Sequence, residues 1–292
     1  MKVLPGRPTF AAEDAVALAS TLFGAQGSAV ELVSERDQNF VIDTGAARFV
    51  LKIANSNEAH DALDLQRALL DRMQSTGYAV SETLHAADGN SIVAATHGGT
   101  EYFVRLLTWV PGTPLASVRP HTAELHRQLG ALAASVGAAF TGFEHPAASR
   151  PLKWDLRRAP EWIRERSHLI DSSEHRELLA ATLERFERST APWLDDLRSG
   201  VIHNDINDHN VLTGDLAITD GWPERHVTGL IDLGDAMNGW VVTDLAIAIA
   251  YAILGCDDVL EVSLSITAGY NQVLPLEKAE ISALFGLIAL RL

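Results

Sequence analysis

VIHNDINDHNVL, Val201 to Leu212, packs His203, Asp205, Asp208, His209 and Asn210 between two apolar, strand-like ends. Taken alone, the stretch reads equally as a surface loop that uses Asn and Asp to make turns. A second cluster shifts the balance. Gly229-Leu230-Ile231-Asp232-Leu233-Gly234-Asp235 sets an acid directly after an apolar strand, with a glycine close behind. An acid at a strand end points into a cleft. Phosphoryl transfer needs a carboxylate to position the acceptor hydroxyl, and carboxylate or amide oxygens to hold magnesium. The two clusters together supply that set.

Working outward, the segment before these clusters divides in two. Helical spacing runs from Ala11 to Phe23, followed by strand-like runs at Ala29 to Val33, Phe40 to Asp43 and Arg48 to Ala54. Thr44-Gly45 between the last two is a hairpin signal. Glu58 to Gln74 reads as a helix with Leu63, Leu65, Leu69, Leu70 and Met73 as its apolar set, ended by Gly77. Strands follow near Ser91 to Ala95 and Glu101 to Leu107. Beyond Pro111-Gly112 the pattern turns helical: His121 to Ala139, Ala159 to Ser167, Glu174 to Leu197, and Thr243 to the end. Short strands near Val201 to His203, Val211 to Leu212, Leu216 to Ile218 and Val227 to Ile231 surround the polar loop. Strands first and helices afterwards predict an α+β protein with two lobes, dividing near Thr108 to Pro111.

Composition narrows the function classes. The chain has 292 residues, a formal net charge of -15 and 47% hydrophobic content. That length suffices for a large core or for two lobes. The acidic balance argues against nucleic acid, whose partners show a basic face, and against anionic membrane surfaces. It suits a cationic substrate, although acidic charge is mostly solvated surface. The single cysteine, Cys256, cannot build a disulfide framework and predicts a reducing, cytoplasmic setting. The N-terminal MKVLPGRPTF carries no long apolar stretch and so no signal peptide, and the run Leu245 to Gly255 is too short to span a bilayer.

His203-x-Asp205-x4-Asn210, followed by Ile231-Asp232-x-Gly234-Asp235, resembles the paired motifs of the aminoglycoside phosphotransferase and choline kinase superfamily. The resemblance implies a two-lobed, protein-kinase-like fold: a small sheet-rich N-lobe binding nucleotide, residues 1–108, and a larger helical C-lobe for catalysis and substrate, residues 109–292. It implies that Asp205 accepts or orients the hydroxyl proton, that His203 buttresses its loop, and that Asn210 and Asp232 hold Mg2+. ATP or GTP would be the phosphate donor. In Phe49-Val50-Leu51-Lys52-Ile53, alternation separates Lys52 from Phe49, Leu51 and Ile53. The resemblance makes Lys52 a contact for nucleotide phosphates. Gln66 stands where relatives commonly carry the glutamate partner of that lysine, with Glu58, Asp64 and Asp71 as alternatives. The glycine-free turn Ser34 to Asn39 reads either as a phosphate cover, through backbone amides and the Ser34 hydroxyl, or as an ordinary polar hairpin. Leu106 to Val110, with Leu107 and Trp109, would face the base. Asp244 reads as an acid at a helix start.

Lys52-Ile53-Ala54-Asn55, Asp64-Leu65-Gln66, Trp154-Asp155-Leu156 and His203-Asn204-Asp205 together look like hydroxylysine kinase-like proteins. They point to a hydroxylated amino acid or amino alcohol, with Trp154, Asp155 and Asp208 lining an amine pocket or serving the structure. Homoserine, choline and aminoglycoside kinases are neighbouring options. A catalytically silent kinase-fold module of a larger chain is the alternative of another class, and Gln66 is its support. Bacterial relatives of this type also occur fused to an aminotransferase domain, and the uncapped apolar helix Ala283 to Leu292 suits a chain that continues or one that buries its end. A protein kinase does not suit, because a Gly-rich loop and an activation segment are missing.

Overall fold

The computed structural model describes residues 5–219 and 222–292. The first four residues of the N-terminal stretch that was read for a leader lie outside them. The chain divides into two compact units, one of Met1–Asp71 and Val80–Val110, the other of Arg72–Ala79 and Pro111–Leu292.

The first unit opens with helix α1 (Ala12–Phe23), whose Asp14 carboxylate accepts from the Ala11 N–H at 3.0 Å. Gly24, at φ +70°, ends it and donates to the Ser20 carbonyl. Strands β1 (Ser28–Leu32), β2 (Gln38–Asp43) and β3 (Arg48–Ile53) follow, then helix α2 (His60–Met73). Strands β4 (Val93–His97) and β5 (Thr100–Thr108) complete an antiparallel sheet of order β1-β2-β3-β5-β4. The β2–β3 turn is closed by the Asp43 carboxylate, which accepts from Gly45 N–H at 2.8 Å, with Gly45 at φ +78°. Phe40, Ile42, Leu51, Ile53, Val104 and Leu106 bury one face of the sheet together with Ala15 and Ala19 of α1. Strand alternation therefore sends Lys52 to the other face.

The second unit is built around helices. In chain order it contains β6 (Thr113–Pro114), α3 (Ala123–Phe140), α4 (Ala159–Arg166), α5 (Ser173–Ser189) and β7 (Ser199–Ile202). Next come β8 (Val211–Thr213), β9 (Ala217–Thr219), β10 (Trp222–Glu224), β11 (Val227–Leu230) and β12 (Met237–Trp240). Helices α6 (Thr243–Ala252), α7 (Val259–Val273) and α8 (Lys278–Arg291) end it. Two glycines set the closest helix contact: a Cβ on Gly130 of α3 would lie 1.9 Å from the Ile266 carbonyl oxygen, and one on Gly269 of α7 would lie 1.8 Å from that of Arg127. Only glycine lets these backbones meet. Helix α6 is buried from Thr243 to Ala250, so the apolar run read from the sequence is a core helix. Among the described residues no helix is long and apolar enough to cross a membrane. The helix expected to reach Leu197 stops at Ser189, because Pro192 enters a separate 3-10 turn, Ala191–Asp196.

Candidate active site

The second unit gathers the polar loop. Strand β7 delivers Val201 and Ile202 buried into the core, and strand β8 takes the chain back into it at Val211. The turn between them stands on Asp244. That carboxylate, 1% exposed at the start of α6, accepts from His203 N–H at 2.9 Å and Asn204 N–H at 2.7 Å. Burial raises its pKa, against the pull of His203 and those two N–H groups. Asn204 takes φ +64°, a left-handed conformation rare outside glycine, and the Asp244 clamp holds it there. His203 is fully buried, and its Nδ1 accepts from Asp205 N–H at 3.3 Å, which assigns the ring proton to Nε2.

Asp205 follows, its carboxylate pinned on both oxygens. Asn207 Nδ2 donates to Oδ1 at 2.9 Å and Asn210 Nδ2 to Oδ2 at 2.8 Å. Asn210 Nδ2 also donates to the Asp205 carbonyl at 2.9 Å. Those two bonds fix the amide so that the Asn210 oxygen is its remaining ligand atom. Asn207 Oδ1 accepts from His209 N–H and Asn210 N–H at 2.8 and 3.1 Å, tightening the turn. The strand-end acid lies beside it, because Ile231 N–H donates to the Asn210 carbonyl at 3.0 Å. Asp232 has φ +66°, and its Oδ1 accepts from Gly234 N–H at 3.0 Å. Arg150 braces that turn from behind, donating to the carbonyls of Gly234 and Ala236 at 2.9 Å each.

The donor chemistry suits a hard divalent cation. Asn210 and Asp232 offer one amide oxygen and one carboxylate, the small oxygen set that magnesium takes when waters and phosphates complete its shell. Among the described residues no cluster of three or more His, Cys, Asp or Glu is placed to hold a metal. A divalent cation held there would supply positive charge against the phosphates of a nucleotide.

The remaining expected residues fall in both units. Lys52 lies on β3 in register with Arg105 of β5 and Asn39 of β2. Gln66 is buried on α2 at 6% exposure. Ser34 is half-buried in the β1–β2 turn. The chain after that turn is tied down: Asp37 accepts from Asn55 N–H at 3.0 Å, and Gln38 exchanges two bonds with the Phe10 backbone. Leu107 is buried on β5, and the Trp109 N–H is occupied by the Arg48 carbonyl at 3.1 Å. Asp155 is committed to Arg157, which reaches both its carboxylate oxygens at 2.8 Å, and it caps the short turn Leu156–Arg158. Asp208 borders a cavity of about 600 Å³ whose lining includes His126, Tyr251, Asp257, Asp258 and Glu261. Trp154 borders a second cavity, of about 210 Å³, shared with Trp162, Tyr251 and Arg291.

Arg291 is a residue the sequence reading missed. Its Nη2 donates to Asp205 Oδ1 at 3.2 Å across 86 positions of sequence, so no local pattern announces it. Asn207 and Arg150 were missed as well. Asn207 had a signal, an Asn placed two positions after an Asp in a turn.

Comparison with known proteins gives the family and the fold. The family described as "Phosphotransferase enzyme family" matches residues 29–271. The hydroxylysine kinase of Mus musculus is 28% identical over 304 aligned positions, covering 98% of this chain and 80% of that protein. The homoserine kinase of Azorhizobium caulinodans is 26% identical over 250 positions, covering 85% of this chain and 72% of that protein. Among solved structures, a microcompartment-associated aminopropanol kinase has TM-score 0.69 at 21% identity, covering 96% of this chain and 86% of that one. An amicoumacin kinase in complex with AMP-PNP, Ca2+ and Ami has TM-score 0.69 at 16% identity, covering 97% of this chain and 84% of that one. These likenesses establish the kinase-like α+β fold.

Proposed function

The chain belongs to the phosphotransferase enzyme family, and on that premise we propose that it moves the γ-phosphate of ATP or GTP onto the side-chain hydroxyl of a hydroxylysine-like amino acid. It is a small-molecule kinase with an alcohol group as acceptor. The observation that carries the reading is the Asp205 carboxylate, fixed by Asn207 and Asn210 on a loop clamped by Asp244.

Asp205 would accept or orient the proton of the acceptor hydroxyl, and His203 would hold the backbone that carries it. Asn210 and Asp232 would hold the magnesium ion. In the first unit, Lys52 would meet nucleotide phosphate oxygens as a point charge, with Gln66 as a candidate partner and Ser34 among the phosphate-facing groups. Leu107 and Trp109 would border the base, Trp109 through its ring and carbonyl because its N–H is occupied. Transfer would be in line and direct, since positioning and charge stabilisation supply the catalysis and a covalent enzyme intermediate adds nothing. Asp208 and the acids beside it would attract the substrate's ammonium groups. Trp154 contributes a ring to the neighbouring cavity, while Asp155 serves its turn. The lone Cys256 suits a reducing compartment such as the cytoplasm. A silent module rests on Gln66 alone, and the intact Asp205 network speaks for turnover.

A coupled nucleotide-consumption assay with magnesium, ATP and GTP tests this over hydroxylysine, homoserine, choline, ethanolamine and aminoglycosides. Turnover of hydroxylysine with silence on aminoglycosides is the expected result. The reverse pattern refutes the substrate, and nucleotide binding without transfer to any acceptor refutes the kinase.

A further inference from the structure

The cavity behind Asp205 has a charge opposite to that of the whole protein. Arg291 and Lys153 both line it, in a chain whose formal net charge is -15. Its one acid, Asp155, is neutralised by Arg157 through both carboxylate oxygens. Arg291 is held with care for a residue that close to a catalytic carboxylate. Its side chain is 8% exposed, and its guanidinium carbon stands 5.5 Å from the ring centres of both Trp154 and Tyr251. Nη2 donates to Asp205 Oδ1 at 3.2 Å and to the Tyr251 hydroxyl at 3.4 Å. Nε and Nη1 make no hydrogen bond to any described residue, so the guanidinium keeps donors in hand at the cavity wall.

An arginine paired to one carboxylate with donors to spare, beside two aromatic rings, is built to take a second carboxylate in the two-pronged geometry that lysine cannot offer. Asp205 does not need it for orientation, because Asn207 and Asn210 already hold both oxygens. The cavity of about 210 Å³ has room for the head of an amino acid. We infer that Arg291 is the specificity residue that receives the substrate's α-carboxylate, with Trp154 and Tyr251 as the walls that aim it. The acceptor is then a hydroxylated α-amino acid and not an amino alcohol. This rests on the kinase reading above and adds to it the group that separates the two substrate classes. Tyr251 also lines the acidic cavity beside Asp208, so a zwitterionic substrate meets a cationic surface and an acidic one on the two sides of one ring.

The test compares 5-hydroxylysine with its decarboxylated counterpart, 1,5-diaminopentan-2-ol, and with its methyl ester, in wild type, Arg291→Gln and Arg291→Lys. Wild type should prefer the free acid in kcat/KM. Arg291→Gln should shrink that preference roughly 10–100-fold, mainly through KM, as expected when a site built for a hydrogen-bonded anion loses its donors. Arg291→Lys should restore part of it by charge alone. If Arg291 served only to brace Asp205, the variants would lower kcat on all acceptors by one factor and leave the preference intact, which overturns the assignment. Equal use of acid and amino alcohol by wild type overturns it too. If wild type phosphorylates none of the three, the kinase reading on this substrate fails. Calorimetric binding of hydroxylysine against the diamine then decides the Arg291 assignment separately: tighter binding of the acid that is lost in Arg291→Gln upholds it, and equal binding refutes it.

Discussion

Asp244→Asn isolates the clamp beneath the loop that carries Asp205. The two side chains have the same shape, so packing is unchanged, but an amide accepts through one atom only. Asp244 now accepts from His203 and Asn204 N–H groups at 2.9 and 2.7 Å. Bonds to a charged acceptor contribute about 1.5–3 kcal/mol each, and a buried N–H left facing a donor costs about 1–3 kcal/mol. The gross loss is therefore about 2.5–6 kcal/mol. Part of it is offset, because burial already disfavours the ionised carboxylate and pushes its pKa up. A net loss of about 2–3 kcal/mol remains, which corresponds to a melting temperature lower by roughly 3–5 °C. The kinetic effect should be larger than the stability effect suggests. Asn204 loses the restraint on its φ of +64°, and Asp205 is the next residue. A misplacement of about 1 Å at a reacting group costs about 10²-fold in rate. Differential scanning calorimetry and steady-state kinetics on folded protein give the two numbers separately. Nucleotide affinity should hold within about twofold, since the change acts on positioning and not on ground-state binding. A variant that melts like wild type and turns over within about twofold of it refutes the clamp.

Asp232→Ala should weaken magnesium-dependent nucleotide binding by about tenfold or more, the loss of one charged ligand, while magnesium-free binding stays put; titration calorimetry with and without the metal checks both halves. His126, buried and beside His121, has its pKa depressed from 6.5 to about 4 by burial first and by His121 second. Between those values the unfolded chain binds a proton that the native state does not, so stability rises with pH across that window and is lost as pH falls through it. The loss amounts to roughly 2–4 kcal/mol. In urea titrations His126→Leu should show a flatter profile than wild type from pH 6.5 to 4, and parallel profiles would contradict this. Gly269→Ala drives a methyl group to 1.8 Å from the Arg127 carbonyl oxygen, so α3 and α7 must part. A cost of about 3 kcal/mol is expected by chemical denaturation, and a cost below about 0.5 kcal/mol would mean the contact is looser than drawn.

What the sequence disclosed follows the range of the interactions. Asp205 and Asn210 were legible because their bonds close within one turn, from residue 205 to residue 210. The Lys52 face was legible because strand alternation decides it, and the burial of Leu51 and Ile53 confirms the period. Asp244 was read as an acid at a helix start, which it is. Its grip on a loop 40 and 41 positions earlier is a tertiary fact with no local mark. Arg291 and Arg150 were invisible for the same reason. Strand β12 went unread because Asn238 and Gly239 break the alternation; its pairing with β7 overrides local preference. For Asp155 the sequence left an amine-pocket role and a structural role open, and the bonds to Arg157, two positions on, favour the structural one.

Asp205→Ala bears most directly on the central claim. Phosphate transfer to hydroxylysine and nucleotide affinity should be measured side by side in wild type and variant. The account predicts a fall in kcat of roughly 10²–10⁴-fold with nucleotide binding largely intact. A variant that keeps near wild-type turnover would contradict it, since Asp205 is the group assigned to the hydroxyl proton.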